Sequence, residues 1–223
     1  MKVDFYFDYL SPYAYLASRE LPALCTRRGV ELRLRPVLFA GLLNHWGQRG
    51  PAEIPPKAVH TIKECMRYAL LREIPCRPPR HHPFNPLTAL RASLAEVAGD
   101  QQLRIMRAIY DMGWGAGGDL GDAAEIAAAL DAAGLEGPAI VARANSTQAK
   151  AALHRETADA IARGVFGIPT MLAGDELFWG LDQLAYLELY LEGKDPLAQV
   201  KFDELDFQGP SAWRTGVSRH GED

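Results

Sequence analysis

Cysteine is scarce in this sequence. The 223 residues include three, Cys25, Cys65 and Cys76. The number is odd and no two stand in a C-x-x-C pair, which argues against a disulfide framework or a cysteine zinc site and fits a reducing, cytoplasmic setting. An excess of positive charge is also missing. Lys and Arg total 24 against 28 Asp and Glu, a net −4, so there is no electrostatic footprint for nucleic acid, and no nucleic-acid motif accompanies it. No apolar run reaches the roughly 18 residues of a membrane span, and no leader-like segment stands ahead of the first strand pattern. His81 and His82 are adjacent, with no partner at ligand spacing, so no metal site is expected. Internal repeats are absent. What is present is a chain with 48 % apolar residues, of a size that suits one domain carrying an insertion.

Strand patterns lie at the two ends. Residues 2–7 read as a buried strand, 12–28 as a helix closed by Gly29, and "VELRLRPVLF" at 30–39 as a second strand, half buried at first. A strand–helix–strand unit implies a parallel pair with a right-handed crossover. Residues 39–162 then lose the strand signal. Helices are predicted over 57–73, 86–98, 101–112, 122–133 and 138–162. "AGLLNHWGQRGPAEIPP" reads as loop, "EIPCRPPRHHPFNP" as an extended proline-rich loop, and "GWGAGGDLG" as a mobile connection. Strands return in "PTMLAGDELFWG", a hairpin across Gly174-Asp175, and a helix over about 182–192 closes the pattern. Residues 201–223 lack a sustained period and read as a loosely ordered tail. The fold class expected is α/β: a thioredoxin-like four-stranded sheet, formed by 1–38 and 163–200 as a discontinuous domain, with a large helical insertion of 39–162.

The stretch "FYFDYLSPYAYLASRELPAL" places Ser11-Pro12 between the first strand and the first helix. Serine is a good N-cap and proline a good first helical residue, so a purely structural reading is complete in itself. The same helix N-terminus offers free N–H groups and the positive end of a dipole, which suits an anion. Gly167-Ile168-Pro169-Thr170 likewise reads as a strand start, where the missing proline N–H costs no ladder bond. Asp182 reads as a helix cap.

Four stretches together resemble the 2-hydroxychromene-2-carboxylate isomerase family: "VDFYFDYLSPYAYLA" at 3–17, "GPAEIPPK" at 50–57, "PFNPLTALRA" at 83–92 and "GVFGIPTMLAGDELFWGLDQL" at 164–184. That family is related to kappa-class glutathione transferases and to thiol-disulfide oxidoreductases of the DsbA type. The resemblance implies a glutathione-dependent isomerase of 2-hydroxychromene-2-carboxylate or a related intermediate of aromatic breakdown, working as a cytoplasmic homodimer. Ser11 would contact and ionise the glutathione sulfur. An oxidoreductase would need cysteines where Ser11 and Ala14 stand, so disulfide exchange is not expected. Ile168, before a cis Pro169, would pair with the tripeptide backbone. Trp179, Gly180, Leu181 and Asp182 would hold its γ-glutamyl end, and Asn44, Lys57, Phe84 and Asn85 would receive a small aromatic carboxylate. Read singly, Lys57 better suits a solvated helix-start lysine, Phe84 a core aromatic and Asn85 a turn or cap residue. Leu43, Glu53 and Ile54 stand where the family's naphthalene-pathway members carry basic or polar residues. The alternatives are a kappa-like glutathione transferase and a non-catalytic glutathione- or peptide-binding protein.

Overall fold

A computed structural model of the chain describes residues 1–201 and 204–206; most of the predicted tail lies outside the described residues. Strands β1 (Lys2–Phe7), β2 (Glu31–Pro36), β3 (Thr170–Ala173) and β4 (Glu176–Trp179) form one sheet in the order β2-β1-β3-β4. β1 pairs parallel with β2 and antiparallel with β3, in the register Phe5↔Leu34 and Phe5↔Met171. Helix α1 (Pro12–Arg27) makes the crossover.

Side chains alternate across a strand, and β1 uses both of its faces. Val3, Phe5 and Phe7 belong to the larger core, with Leu16 and Leu21 of α1 and much of the insertion. Tyr6 enters a smaller core on the other face, with Leu42, Ala160 and Leu172. Asp4 shares that second face. It is 7 % exposed and bound by Arg163 at 2.7 Å and Arg35 at 3.3 Å. A central strand covered on both faces explains why Val3 to Phe7 are apolar apart from the ion-paired Asp4.

The insertion supplies α2 (Phe39–His45), α3 (Pro55–Leu71), α4 (Leu87–Ala92), α5 (Ala95–Ala98), α6 (Gln102–Tyr110), α7 (Ala123–Ala132), α8 (Gly137–Ala144) and α9 (Thr147–Ala162); α10 (Leu184–Leu191) closes the pattern. Three expectations change. The stretch after Phe39 is a helix, not a loop, because Leu42 is drawn into the smaller core. The predicted helices 86–98 and 138–162 are each two, broken at Ser93-Leu94 and at Asn145-Ser146. The "GWGAGGDLG" connection begins as a π-turn over Asp111–Gly115 and buries Trp114, so its first half is packed core.

Candidate functional site

The turn between β1 and α1 is held from three directions. Asp8 is fully buried; its Oδ1 accepts the Leu10 N–H at 3.0 Å and its Oδ2 accepts the Phe39 N–H at 2.8 Å. One carboxyl thus ties the turn to the start of α2. Ser11 N–H donates to the Asp8 carbonyl at 3.1 Å. The insertion then grips three successive carbonyls. Tyr110 Oη donates to Asp8 O at 3.1 Å, Trp114 Nε1 donates to Tyr9 O at 2.7 Å, and His82 Nε2 lies 2.9 Å from Leu10 O. Tyr9 Oη pairs with Ser93 Oγ at 2.5 Å. A loop so tied is a rigid platform for the residue that follows it.

That residue is Ser11, 7 % exposed and the N-cap of α1; its Oγ accepts the Ala14 N–H at 3.1 Å. A hydroxyl has one donor and two acceptor positions. Capping uses an acceptor, and the proton has no acceptor among the described residues. Pro12 has no N–H and Ala14 is bonded to the cap, so the Tyr13 N–H is the remaining free donor of the first turn. Two donors at the positive end of a helix favour one anion there. No cysteine serves this spot. Burial pushes the Cys25 thiol up to about 11 and pushes Cys65 and Cys76 up as well.

Ser11 borders a cavity of about 240 Å³. Its walls are Leu10, Pro12 and Tyr13; Phe39, Ala40 and Leu43 of α2; the Gly50–Glu53 turn; Ala58, Thr61 and Ile62 of α3; and His82, Pro83 and Ile168. A second cleft of about 550 Å³ runs from Tyr13 and Ile168 past Glu64, Cys65, Tyr68 and Pro169 to Trp179, Gly180, Leu181, Asp182 and Gln183. Tyr13 and Ile168 line both hollows. The Ile168-Pro169 bond is cis, as expected. Gly180 N–H donates to Pro169 O at 2.9 Å and Thr170 Oγ1 donates to Gly167 O at 2.7 Å. The N–H and C=O of Ile168, between them, have no partner among the described residues, nor do the N–H groups of Leu181 and Asp182. Gly180 holds φ +113, and a Cβ there would overlap the Asp182 carboxylate. That backbone position belongs to glycine.

Residues 2–192 match the DSBA-like thioredoxin domain. A 2-hydroxychromene-2-carboxylate isomerase from Sphingobium xenophagum is 32 % identical over 191 residues, covering 85 % of this chain and 97 % of that protein. The chain belongs to this isomerase family. The crystal structure of a 2-hydroxychromene-2-carboxylate isomerase superposes with a TM-score of 0.79 at 28 % identity, covering 86 % of this chain and 95 % of the other. Glutathione S-transferase kappa 1 from Rattus norvegicus is more distant, 25 % identical over 212 residues, with 89 % and 93 % covered.

Family membership makes the placement of each expected residue informative. Ser11 lines the cavity; Pro169, Trp179, Gly180, Leu181 and Asp182 line the cleft; Ile168 lines both. Asp182 caps no helix. It sits inside a short 3-10 turn, Leu181–Gln183, with Gly180 as the cap residue. The four expected substrate residues line neither hollow. Asn44 is exposed on α2, one step round the helix from the lining Leu43. Lys57 is exposed on α3, one step before the lining Ala58. Phe84 packs on the larger core and edges the His82 ring at 6.2 Å. Asn85 Oδ1 accepts the Leu87 N–H at 3.1 Å, a turn role. The residues that do line the cavity include Leu43, Thr61, Ile62 and His82. Ala58, Thr61 and Ile62 fall at i, i+3 and i+4 on α3, a face visible in the sequence once the helix is accepted.

Proposed function

We propose that this protein catalyses the glutathione-dependent cis–trans isomerisation of 2-hydroxychromene-2-carboxylate or a related intermediate of aromatic breakdown. One observation carries the reading: Ser11, at the head of α1, keeps an uncommitted hydroxyl proton beside the border where a peptide-sized cleft meets a small apolar cavity.

The residues present fit a thiol tripeptide. Ile168 offers an N–H and a C=O side by side, the pair an added strand uses. The Leu181 and Asp182 N–H groups suit a carboxylate, and the Asp182 side chain suits an ammonium group close by. Bound glutathione supplies a thiolate able to add to a conjugated double bond and leave again, which makes that bond single long enough to rotate. The chain's own part is to make and aim the anion. Ser11 Oγ–H and the Tyr13 N–H donate to the sulfur and favour its charged form. The grip of Tyr110, Trp114 and His82 on carbonyls 8–10 keeps those donors in place, so little reorganisation is left for the reaction.

The test is an ultraviolet titration of the thiolate of glutathione bound to the purified protein, against free glutathione. The bound thiol is expected to ionise well below the free one. Ser11→Ala is expected to raise it again by about one to two pH units, the worth of a hydrogen bond to a charged group. The same change removes the cap and costs about 1 kcal/mol of stability. Glutathione that does not bind, or that ionises when bound as it does when free, overturns the proposal.

A further inference from the structure

The polar side chains in the wall of the cavity are those of Ser11, Tyr13, Glu53, Thr61 and His82. Ser11 caps α1, and its proton goes to the sulfur in the function proposed above. Tyr13 Oη donates to Glu64 of α3. The exposed Glu53 is turned onto the Gly50 N–H, which it accepts at 2.6 Å. The Thr61 hydroxyl is no base near neutral pH. His82 remains, and histidine is the side chain that takes up and returns a proton there.

The His82 ring is held in one tautomer. Its Nε2 lies 2.9 Å from the Leu10 carbonyl. A carbonyl only accepts, so Nε2 carries the proton of the neutral ring and Nδ1 is the bare, basic nitrogen. Nδ1 has no partner among the described residues. Trp114 and Phe84 meet the ring at 67° and 66°, with centroids 5.3 and 6.2 Å away, and limit its rotation. The residue is exposed, so Nδ1 is open to a ligand and to water. The anchoring carbonyl belongs to the residue before Ser11, which places this base beside the donors assigned to the sulfur.

The substrate class named above poses a proton problem that a thiolate does not solve. 2-Hydroxychromene-2-carboxylate is a cyclic hemiketal. Its ring oxygen and its hydroxyl share one carbon, and the ring locks the neighbouring double bond cis. That bond cannot rotate until the shared carbon parts from the ring oxygen. Opening removes the hydroxyl proton, and the O–H electron pair becomes the second bond of a ketone. The pair of the breaking C–O bond goes to the phenolic oxygen, which takes a proton. One proton has moved from hydroxyl to phenol, and nothing is oxidised or reduced.

We infer that His82 is the acid–base residue of this opening: Nδ1 takes the hydroxyl proton and returns it to the phenolic oxygen. The substrate's carboxylate, on the same carbon, favours the positive charge that the ring holds in between. The inference rests on the isomerase reading for the identity of the substrate, but its test needs no glutathione. Saturation-transfer NMR between the cyclic form and the open cis keto acid, with a small amount of glutathione-free protein, reads the rate of opening. The protein is expected to speed opening over buffer alone, and His82→Gln to cut that gain by about a hundredfold. The Gln amide keeps a donor for the Leu10 carbonyl and has no base. His82→Ala is expected to lose the gain as well and to recover part of it with imidazole in the buffer, measured against imidazole buffer alone. No acceleration by the wild type, full acceleration in His82→Gln, or a loss that imidazole does not restore overturns the inference. Failure of the thiol titration above, with opening still dependent on His82, would remove the isomerase reading and leave the ring-opening role standing.

Discussion

Asp8 is one of 28 acidic residues, and nothing in its neighbours along the chain marks it as the one that is buried. Its environment sets two forces against each other. Burial disfavours the charge; the N–H groups of Leu10, Phe39 and Tyr9 favour it. Burial is the larger, and the carboxyl is pushed up from its ordinary value to about 7. In the unfolded chain the same carboxyl ionises near 4. Between about pH 4 and 7 the native state therefore holds a proton that the unfolded state has released. The contribution of Asp8 is fully present below that window and falls as pH rises through it, by about 1 kcal/mol per pH unit, then stays level. Asp8→Asn is expected to lose stability outright, because an amide N–H faces a backbone N–H at one of the two oxygens. It should also lose the slope. Urea midpoints of both proteins across about pH 4 to 8 would show this. Wild-type and variant curves that run parallel would count against an upshifted Asp8. Ser11 was the opposite case. Its capping role follows from the Ser-Pro dipeptide before a helical period, so the site's anchor was legible, whereas the turn's grip on Phe39 depends on a contact 31 residues away.

Among the elements, the breaks were harder to read than the helices. The split at Asn145-Ser146 had a local signal: Ser146 Oγ accepts the Ala149 N–H at 3.1 Å and caps α9. The run of alanines around it kept a helical period going on both sides and masked the stop. Helix α2 had no such signal. Gly41, Asn44 and Gly47 look like loop residues, and the segment is helical because Leu42 finds the smaller core while Gly41 lets α9 approach. A Cβ on Gly41 would lie 3.0 Å from Thr157 Cγ2. A closer approach joins α7 and α8. At Gly137 a Cβ would stand 2.7 Å from the Ala127 carbonyl carbon and would overlap its oxygen. Backbone cannot rotate away as a side chain can, so the two helices must separate. Gly137→Ala is expected to cost about 1–3 kcal/mol or more, lowering the thermal midpoint by several degrees. The pair lies away from both hollows, so glutathione affinity measured well below the melting range should stay within about twofold. An unchanged midpoint would mean that α7 and α8 are not held at this distance. A loss of affinity at full stability would mean that the packing reaches the site.

At the scale of the whole molecule, the order of strands at the ends and helices between them was enough to expect the sheet and the insertion. Pattern alone did not show how the two parts join. They join through one core. Phe5, Phe7 and Leu16 of the thioredoxin-like part share a continuous buried cluster with Trp114, Ile126 and Ile140 of the insertion. Tyr110 of the insertion packs at tilted angles against Phe7, Tyr9 and Tyr15 across the boundary, at centroid distances of 4.5–6.1 Å. The site is divided in the same way. Ser11 and Ile168 come from one part, Phe39 to Ile62 from the other. Separating the parts would expose this aromatic layer and free three carbonyls of the Ser11 turn. Together the exposed aromatic layer and the three lost hydrogen bonds, at about 1 kcal/mol each, are comparable to the roughly 5–15 kcal/mol by which a domain is stable. A half-melted state, with one part folded alone, is therefore expected to be unpopulated. Far-ultraviolet circular dichroism reports mainly on the helices of the insertion. With Trp213, which lies outside the described residues, replaced by Phe, tryptophan fluorescence reports on Trp46 and Trp114 in the insertion and on Trp179 at the end of β4. The two signals should trace one urea transition with one midpoint, and glutathione binding should vanish over that same range. Two separated transitions, with the secondary-structure signal falling first, would show that the insertion melts on its own and that the shared core does not couple the two halves of the site.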